Sequence, residues 1–169
     1  MLQLALVVWG AFAATLGWYW AGVSEGRTSW VPIAGASAVL TGITVFAAGD
    51  THISVWGFSA VAAAAAALAA AEVGWGIVSD RTFGFFSLAA AGAYALSCAT
   101  WAKDTGPGGH FDILALGLLI TAVGAALAFV AAALVPPSMV FRRVLGWMLV
   151  TAGFGVGFIG YAPALNVNF

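Results

Sequence analysis

Few residues in this chain can do ionisable chemistry: six Asp or Glu, five Lys or Arg, two His and one Cys among 169 residues. The histidines, His52 and His110, stand in short polar runs, GDTH and KDTGPGGHFD, just ahead of apolar stretches. An imidazole titrates near pH 6.5, so both are candidate pH sensors. Two histidines make a poor metal site without a third ligand; Asp50 and Asp112 are the acids on hand, and neither metal nor cofactor is expected. The lone Cys98 excludes an internal disulfide and a cysteine cluster, and its apolar surroundings suit a small buried residue. GPGG at 106–109 is a turn and not a nucleotide motif, because no Lys-Ser/Thr follows it. No paired carboxylates and no Ser–His–Asp set can be assembled, so an enzyme is not expected.

The elements that must position these residues are apolar. Hydrophobic residues make up 63% of the chain and charged ones 7%, with a mean hydropathy of +1.07. A soluble domain carries about 25% charged residues, so this chain belongs in a bilayer. A span needs roughly 20 apolar residues. Six fit, at about 2–22, 31–49, 53–73, 82–102, 111–134 and 140–162, separated by VSEGRTS, GDTH, a stretch ending SDR, KDTGPGGHFD and PPSMVFRR. Pro32 suits a first helical turn and Pro136 and Pro137 close the fifth span. The expected architecture is one all-α domain over residues 1–169, a bundle of six transmembrane helices with short loops and no room for a soluble module. MLQLALVVWG lacks the basic start of a signal peptide and reads as a retained first span.

Charge sets the expected orientation. Arg27, Arg81, Arg142 and Arg143 fall in loops 1–2, 3–4 and 5–6, against Lys103 on the other side, so those loops face the cytoplasm and both termini face outward. Trp18, Trp20, Trp30, Trp75, Trp101 and Trp147 fall near span ends, where indoles anchor at the interface; Trp9 and Trp56 are expected to lie deeper. None of the charged residues sits at the middle of a span, which argues against a proton- or sodium-coupled transporter. Glu72, Asp80 and Asp112 lie near span ends, where interfacial solvation accounts for them. A net charge of −1 with no basic tail makes nucleic acid and anionic membrane surfaces poor partner candidates; the expected partner is the membrane lipid around the spans.

Inside the spans the theme is small side chains. Ala13/Gly17, Ala34/Ala38, Ser87/Ala91 and Gly153/Gly157 are small-xxx-small pairs, which let helix backbones approach closely. The third span contains six consecutive alanines, Ala62 to Ala67. Such a helix makes sense as a packing element against other backbones, with Trp56 and Phe58 at one end as its only parts able to touch a solute. Replacing Ala64 or Ala65 with Leu is then expected to disrupt assembly.

The order of features resembles the urea/amide channel family. MLQLALVVWGAFAATLGWYWAG followed by RTSWVPIAGASAVLTGITVF is similar to that family's opening, with Gly10 matching its mid-helix glycine. Trp56-Gly57-Phe58-Ser59-Ala60 resembles the family's Phe-Gly-Phe-Thr-Tyr core, and Trp147 and Pro163 match a Trp some turns before a Pro in its last helix. The resemblance implies six spans, a passive pore in each protomer, a ring of protomers and a bacterial inner membrane. In the acid-gated member outer-loop histidines contribute to gating, and His52 and His110 sit in the corresponding loops. The chain departs from the pattern where the last helix has Ala152 for a glutamate and where the fifth helix has no Trp. A pore here would therefore carry a different filter.

Two functions are expected. One is a passive pore for small neutral solutes such as urea, short amides or ammonia, which needs a narrow path with ring faces and hydroxyls rather than buried charge. Trp9, Phe12, Trp56, Phe58, Ser59 and Tyr94 are its candidate lining groups. The other is a non-catalytic structural subunit of a larger membrane complex. A continuous polar path through one protomer marks the first; a closed bundle with an apolar face fitted to another protein marks the second.

Overall fold

A computed structural model describes residues 1–48, 53–104, 112–134 and 139–162. Six helices follow one another: α1 (Leu2–Ala21), α2 (Gly26–Ala47), α3 (Ile53–Trp75), α4 (Asp80–Asp104), α5 (Ile113–Phe129) and α6 (Met139–Tyr161). A π-helical turn, Val130–Leu134, continues α5. Five of the six are long and apolar enough to cross a membrane; α5 is apolar and shorter, at 17 residues before its π turn. Helices suit lipid because each satisfies its own backbone N–H and C=O groups where no water can.

Each helix packs on its sequence neighbours and α6 returns to α1, which closes the ring. Helix α1 also reaches α3 and α5, so it is the most buried span. Among the described residues two left-handed glycines turn the chain between spans: Gly22 at φ 77° after α1, with the Val23 N–H donating to the Trp18 carbonyl at 3.0 Å, and Gly76 at φ 63° after α3. Asp112 caps α5 by accepting from the Leu114 N–H and also accepts from the Trp101 indole N–H at 3.1 Å, tying α5 to α4. Its carboxylate is thus engaged by protein groups at both oxygens.

Helix α2 starts five residues before the expected 31, so Pro32 lies inside it and not in its first turn. The Glu25 carbonyl accepts from the Thr28 and Ser29 N–H groups and from both hydroxyls, which starts the helix early. Pro32 has no N–H for the Thr28 carbonyl, a loss that transmembrane helices tolerate.

The closest contact is α1 against α6, and its rule is a seven-residue spacing. A methyl group placed on Gly10 would stand 2.5 Å from the Gly153 carbonyl oxygen, and one on Gly17 2.6 Å from that of Gly146. From the other side, Gly146, Gly153 and Gly160 would put theirs 2.6 Å from backbone atoms of Ala21, Ala14 and Gln3. The pairings run in opposite directions along the two helices, so they are antiparallel, joined backbone to backbone. Of the expected four-residue pairs, Gly17, Gly153 and the backbone of Gly157 belong to this seam, although a methyl on Gly157 itself would meet nothing within 4 Å. Ala38 faces out of the bundle.

The alanine helix is two-faced. Ala62, Ala63, Ala65, Ala66, Ala69 and Ala70 are buried, while Ala64 and Ala67 face outward. The outward pair lines a shallow groove with Ala60 and with Ser37, Thr41 and Thr44 of α2. Those hydroxyls already donate to the Ala63, Ser37 and Leu40 carbonyls.

Candidate functional site

Four of the six sequence candidates meet inside the bundle. Trp9 packs edge-on against Phe12 (centroids 6.5 Å apart) and against Tyr94 (6.4 Å), and Tyr94 lies 5.1 Å from Phe58. Helix α1 supplies Trp9 and Phe12 three residues apart, which places them on one side of the helix. Their counterparts come from α3 and α4, and all four rings are buried.

Beside these rings is a cavity of about 20 Å³. Its wall includes Trp9, Phe12, Ala65, Phe83, Ser87, Tyr94, Gly124 and Leu149, from α1, α3, α4, α5 and α6. Ala65, Gly124 and Leu149 come from the middle portions of their helices, so the cavity lies at mid-height of the bundle. Ala65 and Gly124 leave room where a larger residue would fill it: a methyl on Gly124 would come within 3.1 Å of the Trp9 ring. Trp9, Ser87 and Tyr94 are the only wall residues with a polar side-chain atom. Ser87 donates its hydroxyl to the Phe83 carbonyl at 2.9 Å. No group meets the Tyr94 hydroxyl with the full geometry of a hydrogen bond, although the Trp9 indole N–H interacts with it.

The other two candidates lie elsewhere. Trp56 is 43% exposed, on the outer surface of the bundle, and does not reach the cavity. Ser59 is buried between α2 and α3, where it accepts from the Thr44 hydroxyl at 3.1 Å and donates to the Val55 carbonyl. A serine mid-helix bonding its own backbone offers a solute little. His52, His110 and Asp50 lie outside the described residues. Among the described residues no three of His, Cys, Asp and Glu come together.

A second group of residues closes one end of the bundle. Arg142 at the start of α6 pairs with Glu72 near the end of α3 at 3.4 Å and with Asp80 at the start of α4 at 3.1 Å. Its guanidinium also lies over the Trp20 ring, 5.5 Å from the centroid. Glu72 is not the solvated interfacial acid expected from its position, since its side chain is 6% exposed and one carboxylate oxygen has no partner. Nor is Trp20 an interfacial anchor: it is buried, and its indole N–H has no partner. Helix α4 reaches back far enough to put Asp80 beside Glu72, a meeting of loop ends that linear spacing does not reveal. The only cue in the sequence is that acids and arginines share one side of the membrane.

Cavity and ion cluster are connected by ring contacts. Phe83 lines the cavity and packs on Trp20 (6.0 Å), which in turn lies beneath Arg142. The interior therefore runs from an aromatic mid-height cavity to a charged plug, with polar atoms on Tyr94, Trp20 and Glu72 that lack a full hydrogen bond. Such an arrangement can hold a small uncharged hydrogen-bonding molecule. Among the described residues, no charged group stands in the cavity wall. Comparison with protein-family models, with curated proteins and with solved structures finds no match.

Proposed function

We propose that this chain is a passive membrane channel for small neutral solutes, in the class of urea, short amides or ammonia; the described residues enclose a cavity and not a continuous polar path, and the reading rests on that cavity. It lies at mid-height of the bundle, walled by Trp9, Phe12 and Tyr94, and the buried Tyr94 hydroxyl lacks a full hydrogen bond. An unpartnered buried hydroxyl costs about 1–3 kcal/mol, a cost that a passing hydrogen-bonding solute relieves. Ring faces and one hydroxyl suit a neutral molecule, because an ion would lose its hydration there with no countercharge in the wall. The resemblance to the urea/amide channels supports the same reading and adds a ring of protomers in a bacterial inner membrane, termini outward.

The test is solute entry into liposomes holding the purified protein, followed by stopped-flow light scattering for urea, formamide and acetamide and by an internal pH dye for ammonia. Entry of any one of them well above the rate of empty liposomes is expected. Rates equal to those of empty liposomes for all four, from folded protein, refute the channel.

A second reading, a structural subunit of a membrane complex, is favoured by the outward groove between α2 and α3. Small side chains there, Ala60, Ala64 and Ala67, let another helix approach closely in lipid. Chemical crosslinking through a cysteine introduced at Ala64 in native membranes distinguishes a second copy of this chain from a different protein.

A further inference from the structure

The cavity is small enough to choose among neutral solutes. We propose that it admits one molecule with a single non-hydrogen atom, ammonia or water, bound at the Tyr94 hydroxyl, and that urea and amides do not pass. The inference rests on the channel reading and sets its size limit.

Room comes first. A water-sized molecule needs about 10–15 Å³ of such space, and the cavity provides about 20 Å³. Urea, with four non-hydrogen atoms, needs roughly four times what one water needs. The walls cannot simply step aside: Gly124 already faces the Trp9 ring, and Ala65 stands on a helix whose neighbouring alanines are buried. Tyr and Trp side chains have only two χ angles, so their rings have few other positions to take.

Chemistry comes second. The Tyr94 hydroxyl can donate to a lone pair or accept from an N–H or O–H, and ammonia and water offer both. The Ser87 oxygen and the Trp9 indole N–H complete the polar groups of the wall. No carboxylate lines the cavity, so ammonium gains no countercharge there. Beyond Phe83 the next unpartnered donor is the Trp20 indole N–H, on the side of the Arg142 plug.

The experiment measures four permeabilities in the same proteoliposomes: ammonia by internal pH, water by osmotic shrinkage, urea and formamide by light scattering. Ammonia or water is expected above the empty-liposome rate, and which of the two rises identifies the solute; urea and formamide are expected to stay at it. Tyr94→Phe keeps the volume and removes the hydroxyl, and should lower the raised flux about fivefold, the worth of one hydrogen bond. Ala65→Leu fills the cavity and should return it to the empty-liposome rate. Gly124→Ala fills it less and serves if the leucine variant fails to fold. Facilitated urea or formamide entry overturns the size limit while leaving the channel intact. Flux undiminished in folded Tyr94→Phe and cavity-filled variants overturns the assignment of the site. No facilitated flux of any solute overturns this inference and the channel together.

Discussion

Helix α1 meets its neighbours in two opposite ways. Toward α6 it offers Gly10 and Gly17, and the two backbones touch with no space for a methyl group. Toward α3, α4 and α5 it offers Trp9 and Phe12, whose rings hold the helices apart and leave a cavity between them. Trp9 and Gly10 are adjacent in sequence, so one residue step separates the tightest contact of the bundle from its void. In lipid, where apolar burial does not drive helices together, the seam stabilises by backbone proximity and dispersion. The aromatic side leaves contacts unmade, which is tolerable because the seam keeps α1 in place.

If the seam is the scaffold and the cavity the adjustable part, substitutions on the two sides must differ sharply. The largest effect is expected at the seam. Gly153→Val forces atoms into the Gly10 carbonyl and the Ala14 backbone, neither of which is a movable side chain. Overpacking costs typically 1–3 kcal/mol and more where backbone is hit, so a loss of about 3 kcal/mol is expected. Thermal unfolding in detergent and the yield of monodisperse protein would show it, and a variant with unchanged midpoint breaks the comparison.

Next in size is the plug. Arg142→Met strips Glu72 of its partner while the carboxylate stays buried, and breaking such a pair costs about 2–4 kcal/mol, reduced because Arg142 is partly exposed. The double variant Arg142→Met with Glu72→Gln should recover most of that loss. Failure of the second change to restore the unfolding midpoint would mean that the Trp20 stacking, and not the ion pair, is what Arg142 provides.

The alanine pair sharpens the comparison further. Ala65 lies on the cavity wall and Ala64, its neighbour, in the outward groove. Ala65→Leu puts three further carbons into a void with room for one and should cost about 2 kcal/mol, within the usual range of overpacking. Ala64→Leu should leave the unfolding midpoint of one protomer within about 0.5 kcal/mol, as for other surface changes. Its effect belongs in the oligomeric state, read by native mass spectrometry. Equal destabilisation by both would mean that α3 is packed on all sides. The smallest effect is expected from Tyr94→Phe, which removes a hydroxyl without a full hydrogen bond and should leave stability unchanged or raise it by up to about 1 kcal/mol.

Much of the architecture was legible in the chain itself. The six helices fall where runs of about twenty apolar residues between Arg-, Asp- and Gly-bearing breaks place them, with ends within a few residues except at α2. There the Glu25 carbonyl starts the helix ahead of the apolar run, a local hydrogen-bond effect that hydropathy does not report. Of the candidate lining groups, Trp9, Phe12, Phe58 and Tyr94 are ones whose rings the structure brings together. Trp56 was not separable from them, because in an apolar helix lipid-facing and core-facing rings look alike. Glu72 and Arg142 are 70 residues apart and carry no local sign of each other.

What the sequence determined by itself is the class of the molecule. Its apolar content and scarce charge require lipid, and lipid requires helices, because only they satisfy every backbone group within one segment. Only the tertiary structure decided which small residues are a seam, which alanines are inside, and where room is left. Nearly every face of these helices is apolar, so periodicity cannot tell neighbour from lipid. Period-seven glycines on α1 and α6 become a contact only once the two helices are placed side by side. The cavity, likewise, belongs to no segment: it is the space left over when five helices with rings and small side chains settle around one another.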